Sequence, residues 1–199
     1  MRVVEEAPTN GQVAAFVMTG DGRTEQKVLS AIAEVYNGQG KFLLFPKSHF
    51  PKKSGLGVLE GIDEVFKLTG HTRFLVLLDR EHFTKERFQS KLRELFNDYT
   101  LEGDNPYIVT TKQFEIFVVV FGNKNAIEEH IAELINLESQ TTVISTEGSD
   151  VQSLKAQIRT FLKTSRHKKL KRFLKSCSTG NLEKAFDPLI SVIRMFEET

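Results

Sequence analysis

The sequence predicts an α/β domain: a central, mostly parallel sheet flanked by helices, followed by a helical C-terminal part. Three observations carry this. Short, unbroken apolar runs end in polar residues, as strands covered on both faces do. Between them lie stretches with apolar residues at helical spacing. The two kinds alternate along the first two thirds of the chain, an order that calls for right-handed crossovers and parallel strands.

The first strand is Val13–Thr19 (VAAFVMT), closed by the turn signal Gly20-Asp21-Gly22. The next helix follows from Val28, Leu29, Ile32, Ala33 and Tyr36, with Gly38 as its stop. Lys41–Phe45 (KFLLF) reads as a second strand, ended by Pro46 and followed by the basic loop PKSHFPKKSGLG. A helix over about 58–68 stops at Gly70. Arg73–Leu78 (RFLVLL) is the clearest strand and runs into Asp79-Arg80-Glu81-His82. A helix follows over 84–97, with Phe88, Leu92, Leu95 and Phe96 on one side. Tyr107–Val109 is a short fourth strand, and Phe114–Phe121 is an apolar segment after it. The last third reads as helices over 126–136, 150–163, 168–175 and 182–197, with room for a strand at Thr141–Ile144. The first ten residues read as a loose arm. Residues 1–122 thus form an α/β core and 123–199 a helical extension packed on it, one domain overall.

Composition narrows the function classes. Hydrophobic residues make up 40% of the 199, including 16 Phe, enough for a substantial core. The net charge is +1, so the global balance does not mark a nucleic-acid binder and local clustering must carry that argument. A single cysteine, Cys177, excludes a disulfide framework and a Cys-rich zinc site. None of the five histidines makes a pair spaced by four, which excludes a helical two-histidine zinc site. The start, MRVVEEAPTNG, has no apolar signal core, and no apolar run is long enough to span a bilayer; a cytoplasmic location is the default expectation, with no membrane partner. There is no P-loop and no dinucleotide fingerprint.

In open α/β sheets ligands bind beyond the carboxyl ends of the strands. The sequence places Asp21 and Glu25 after the first strand, Asp79 and Glu81 after the third, and Glu115 after the fourth. Converging carboxylates repel one another and need a cation. An oxygen-only donor set suits Mg²⁺ or Mn²⁺, which keep waters and grip phosphate. Each residue also has a plainer account. Asp21 and Glu25 suit a helix start; Asp79 can open the next helix; Glu81 and His82 fit a solvated loop. Glu115 sits between Phe114 and Phe117, where a charge needs a partner; if the stretch is a helix, Glu115 simply lies on its wet face.

Two basic clusters stand out. Lys163–Lys175 (KTSRHKKLKRFLK) holds seven Lys or Arg, and its Arg166, Lys168, Lys169, Lys171 and Arg172 are candidates for tracking phosphates. The loop residues Lys47, Lys52 and Lys53, with His49, follow the second strand and are expected at the same sheet end as the acids. A solvated basic face and an ordinary loop are the plainer accounts of each.

The ordered acids resemble TOPRIM domains, which place an acidic residue after the first strand and an acidic pair after the third. Asp21-Gly22-Arg23-Thr24-Glu25 is similar to the Glu-Gly-x-Thr-Glu of the OLD-type and RloB-like branch. Asp79-Arg80-Glu81 is similar to its Asp-x-Asp pair, and Phe114-Glu115-Ile116-Phe117 to its Phe-Glu-x-x segment. The resemblance covers about 13–121. It implies a TOPRIM-like, Rossmann-like fold and a Mg²⁺ site in which Asp21, Asp79 and Glu81 hold metal, with Glu25 and Glu115 supporting. It also implies an acid/base role at Asp21, a DNA or RNA substrate, and a defence or repair setting with an ATPase as possible partner. Two positions depart from the pattern: Asp21 stands where Glu is usual and Glu81 where Asp is usual, and each swap moves a carboxylate by one methylene.

Three functions are therefore open. The first is a Mg²⁺- or Mn²⁺-dependent nuclease. The second is a drifted TOPRIM-like module that binds nucleic acid or a partner protein. The third, a flavodoxin-like or receiver-like domain, lacks the long phosphate loop and the paired acids that it needs.

Overall fold

The computed structural model describes residues 1–20, 22–46 and 54–199, without the Arg23 side chain. Seven strands form one sheet: β1 (Arg2–Val4), β2 (Val13–Thr19), β3 (Phe42–Leu44), β4 (Arg73–Asp79), β5 (Thr100–Glu102), β6 (Tyr107–Thr110) and β7 (Glu115–Phe121). Their order across the sheet is β1-β3-β2-β4-β7-β6-β5. The pairs β1–β3, β3–β2, β2–β4 and β4–β7 are parallel; β7–β6 and β6–β5 are antiparallel. The expected mostly parallel α/β sheet is thus present.

The central strands are apolar along their length because both faces are covered. Phe74, Val76 and Leu78 of β4 face one cluster, and Leu75 and Leu77 face the other. On the first face lie α2 (Ile62–Thr69), the 3₁₀ segment Gly55–Gly61 that leads into it, and α3 (Lys85–Leu95). On the second lie α1 (Arg23–Val35), α4 (Ile127–Ser139), α5 (Val151–Thr164), α6 (Leu170–Ser176) and α7 (Thr179–Glu198). That second cluster joins β7 to the C-terminal helices directly: the Phe117 and Phe196 rings lie 4.8 Å apart. No boundary at 122 divides this core. Helix α7 kinks at Phe186, two residues before Pro188, which has no amide hydrogen to continue the ladder.

Three expectations are corrected. The first residues are no loose arm, since Arg2–Val4 pairs with Phe42–Leu44. Thr141–Ile144 is not a strand; the Asn136 side chain holds it as a loop, accepting from the Val143 and Ile144 amides and donating to the Ile144 carbonyl. Phe114–Phe121 is neither a helix nor a segment beyond the last strand. From Glu115 it is the seventh strand, parallel to β4.

Candidate functional site

The chain leaves β2 to reach β3 on one side, then returns to β4 on the other, so β2 and β4 flank the point where the strand order reverses. Crevices at such points, beyond the carboxyl ends of the strands, bind ligands in open α/β sheets. Thr19 at the end of β2 pairs with Leu77 of β4, and Asp79 lies two residues further on.

Glycine brings three segments together there. A side chain at Gly20 would meet the Gly55 backbone nitrogen at 2.5 Å. One at Gly55, whose φ is +52°, would meet the His82 Cβ at 2.9 Å. The turn after β2, the start of the 3₁₀ segment and the turn after β4 therefore rest on one another. Only glycine permits this closeness and this backbone conformation. The contact was hidden in the sequence because Gly55 belongs to a loop with no periodic signal.

Two carboxylates are buried beside this junction. Glu25, in the first turn of α1, is 5% exposed, and Asp79 is 6% exposed. Asp79 Oδ1 accepts the Ile127 amide at 3.0 Å, so it satisfies one of the open donors at the start of α4. Glu81 lies on the 3₁₀ turn Arg80–His82; its amide donates to the Asn125 carbonyl, and its half-exposed carboxylate lies 3.5 Å from His82 Nε2. Asp79 and Glu81 are thus neighbours at one sheet edge, with Glu25 across the reversal point. Asp21 lies outside the described residues, as do Lys47, Lys52, Lys53 and His49. Among the described residues no group of three or more His, Cys, Asp or Glu side chains is gathered to hold a metal.

Glu115 is not part of this set. It opens β7 and pairs in register with Arg73, whereas Asp79 pairs with Phe121. That places it about 20 Å away along the strands, at the amino-terminal edge. Its charge is met there by Arg73 Nε at 3.1 Å, which is the partner an acid in an apolar run requires.

The carboxyl edge around Asp79 carries further acidic residues that the sequence did not single out. Glu128 and Glu129, in the first turn of α4, are buried. Glu129 accepts from the amides of Asn123, Lys124 and Asn125 and from the Asn125 side chain, which fixes the loop after β7. Glu128 faces Lys155 of α5 at 3.6 Å. Arg80, between the two acids, lays its guanidinium 5.6 Å from the Phe83 ring centroid, and its Nε is buried without a partner among the described residues. Consecutive acids at a predicted helix start were the visible signal for the Glu pair. A cleft of about 660 Å³ opens beside this loop, lined by Lys124, Glu133, Asn136, Thr142 and Glu147 among others. Burial pushes the Glu133 carboxyl above its ordinary value. Burial, against the opposing pull of Glu129, lowers the His130 imidazole.

The basic segment lies on the α1 side of the molecule. Lys171 and Lys175 of α6 both meet Glu34, in the last turn of α1 and far from its Glu25 end. Arg166 Nε donates to His167 Nε2 at 3.0 Å, and Lys168, Lys169 and Arg172 are exposed. Burial, then the nearby Glu138, pushes the Cys177 thiol up to about 12, which makes it an inert sulfur. No helix among the described residues is long and apolar enough to cross a membrane.

No protein-family model matches this chain, and no curated protein matches it. A solved structure shares its fold: the crystal structure of hypothetical protein PH0156 from Pyrococcus horikoshii OT3, at 15% identity and a TM-score of 0.53, covering 100% of this chain and 99% of that one. The likeness extends over both the sheet and the C-terminal helices, so the whole arrangement recurs as one fold.

Proposed function

We propose that the crevice at the reversal point is the site of a metal-dependent phosphodiesterase, a nuclease acting on DNA or RNA. The observation that carries this reading is the pair of buried carboxylates, Glu25 in the first turn of the helix after β2 and Asp79 at the end of the adjacent β4, where such sheets bind ligands. The donors are all oxygens, as Mg²⁺ and Mn²⁺ prefer. Asp79, Glu81 and Glu25 would hold the ion, with Asp21 as the further ligand that the reading needs; Glu115 is excluded by position. A bound ion would neutralise a phosphodiester and activate a water. The TOPRIM-like order of acids supports the same chemistry.

One observation favours the second reading, a drifted module that binds without cleaving. One Asp79 oxygen is already taken by the Ile127 amide. The test is calorimetric titration of Mg²⁺ and Mn²⁺ into wild type and Asp79→Asn, with incubation against single- and double-stranded DNA and RNA. The nuclease reading expects binding and Mn²⁺-dependent cleavage in wild type, both lost in the variant. Metal binding without cleavage of any of the four substrates leaves the drifted module. No binding at millimolar metal removes the metal site altogether.

A further inference from the structure

Between Val151 and Leu182 there is no Asp or Glu, yet this stretch holds nine of the chain's 27 Lys and Arg. Everything else carries 18 bases against 26 acids. A near-neutral protein is therefore strongly divided, with one cationic flank on an otherwise acidic body. On α5 the division has a period. Lys155, Arg159 and Lys163 recur every four residues, which puts them on one helix face about 6 Å apart. Arg166 continues the line beyond the helix end. The apolar residues Leu154, Ile158 and Leu162 turn inward, so the charges are not needed for packing.

The line has a fixed start. Lys155 faces Glu128, and Glu128 follows Ile127, whose amide Asp79 accepts. The row therefore begins at the rim of the candidate crevice and descends the flank toward the end of α1. At its lower end Lys171 and Lys175 converge on Glu34. No carboxylate among the described residues pairs with Arg159, Lys163, Lys168, Lys169 or Arg172.

We propose that this flank is the track for a nucleic-acid backbone, with Arg159, Lys163, Arg166, Lys168, Lys169 and Arg172 as its phosphate contacts, and with Lys171 and Lys175 withdrawn from it by Glu34. The inference rests on the proposed function only for the identity of the polymer; the binding itself needs neither metal nor the acidic residues. A file of cations along one helix face, continued by Arg166 and the bases of α6, suits a polymer with a repeating charge. A membrane surface would call for apolar side chains among the cations, and a protein partner for an aromatic or aliphatic anchor. The large apolar residues exposed among the described ones are Leu68, Val143 and Met195, none of them on this row.

The experiment measures oligonucleotide binding by fluorescence anisotropy in EDTA, over a salt series, for single- and double-stranded DNA and RNA long enough to span the row. Wild type is expected to bind with a steep salt dependence. The triple variant Arg159→Gln/Lys163→Gln/Arg166→Gln is expected to bind roughly 30-fold more weakly at moderate salt, with a log–log salt slope shallower by about 2 to 3. All three side chains are exposed, so its thermal melting should match wild type. Because the titrations are run in EDTA, they read this track separately from the metal site. Equal affinity of the triple variant and wild type would overturn the proposal. So would absence of oligonucleotide binding at low salt, or binding to phosphatidylserine vesicles in its place.

Discussion

Asp79 accepts the Ile127 amide at the start of α4 and is also the carboxylate that the proposed chemistry cannot lose. The two roles separate by substitution. Asp79→Ala leaves a buried helix-start amide without its acceptor and should cost about 1 to 2 kcal/mol. Asp79→Asn keeps an oxygen for that amide and should cost clearly less, while removing the charge that metal binding needs. Urea unfolding of the two variants reads the difference. Equal losses would mean that the oxygen facing Ile127 is not what stabilises this turn. The residue was readable from sequence because it closes the clearest strand. Glu115 was visible as an acid in need of a partner, and its partner is Arg73. Its place was misread because the turn before it, Thr111–Phe114, contains none of the usual turn residues. The Thr111 hydroxyl builds that turn instead, accepting the Gln113 and Phe114 amides.

At the scale of elements, α6 is held by burial and tuned by charge. Phe173 and Leu174 are buried in the cluster that includes α1, while Lys171 and Lys175 reach Glu34 from partly exposed positions. Ion pairs as open as these contribute at most about 1 kcal/mol. Glu34→Gln should therefore barely move the melting curve. It should free two cations beside the track and tighten oligonucleotide binding a few-fold, with a steeper salt dependence. Unchanged affinity would put Lys171 and Lys175 out of reach of the polymer. Helices such as α3 and α5 were legible because a capping residue, Thr84 or Asp150, precedes an apolar stripe. The three-residue strands β1 and β5 were not, because so short a run carries no period, and only pairing with β3 or β6 makes each a strand. The crossing of segments at Gly20 and Gly55 was illegible for a related reason: a close approach between distant glycines leaves no local pattern.

The whole molecule should lose stability as the solution is acidified from neutrality, and the cause is placed at the α4–α7 contact. His130 packs between Phe121, edge-on with ring centroids 6.1 Å apart, and Phe186, tilted at 5.6 Å, and is hydrogen-bonded to the Ala185 backbone. Burial holds its imidazole below the ordinary value of 6.5, with Glu129 pulling the other way and Arg80 adding to the lowering. His71, against Phe16, is lowered by burial in the same sense. A lowered folded pKa means that the unfolded chain takes up protons first as pH falls past 6.5. The stabilisation is thus complete above that value and drains as pH drops toward the folded pKa. Glu133 works in the opposite direction: burial raises its folded pKa above 4.5, so its contribution is present at low pH and fades as pH rises. A variant at position 130 isolates the histidine from this counter-current. His130→Phe keeps an aromatic ring between Phe121 and Phe186 but gives up the bond to Ala185, so it should start less stable at about pH 7.5 and lose less on going to about pH 5.5. Urea unfolding at a series of pH values measures both slopes. Parallel slopes for the two proteins would place the acid sensitivity elsewhere than the joint between the sheet and its C-terminal helices.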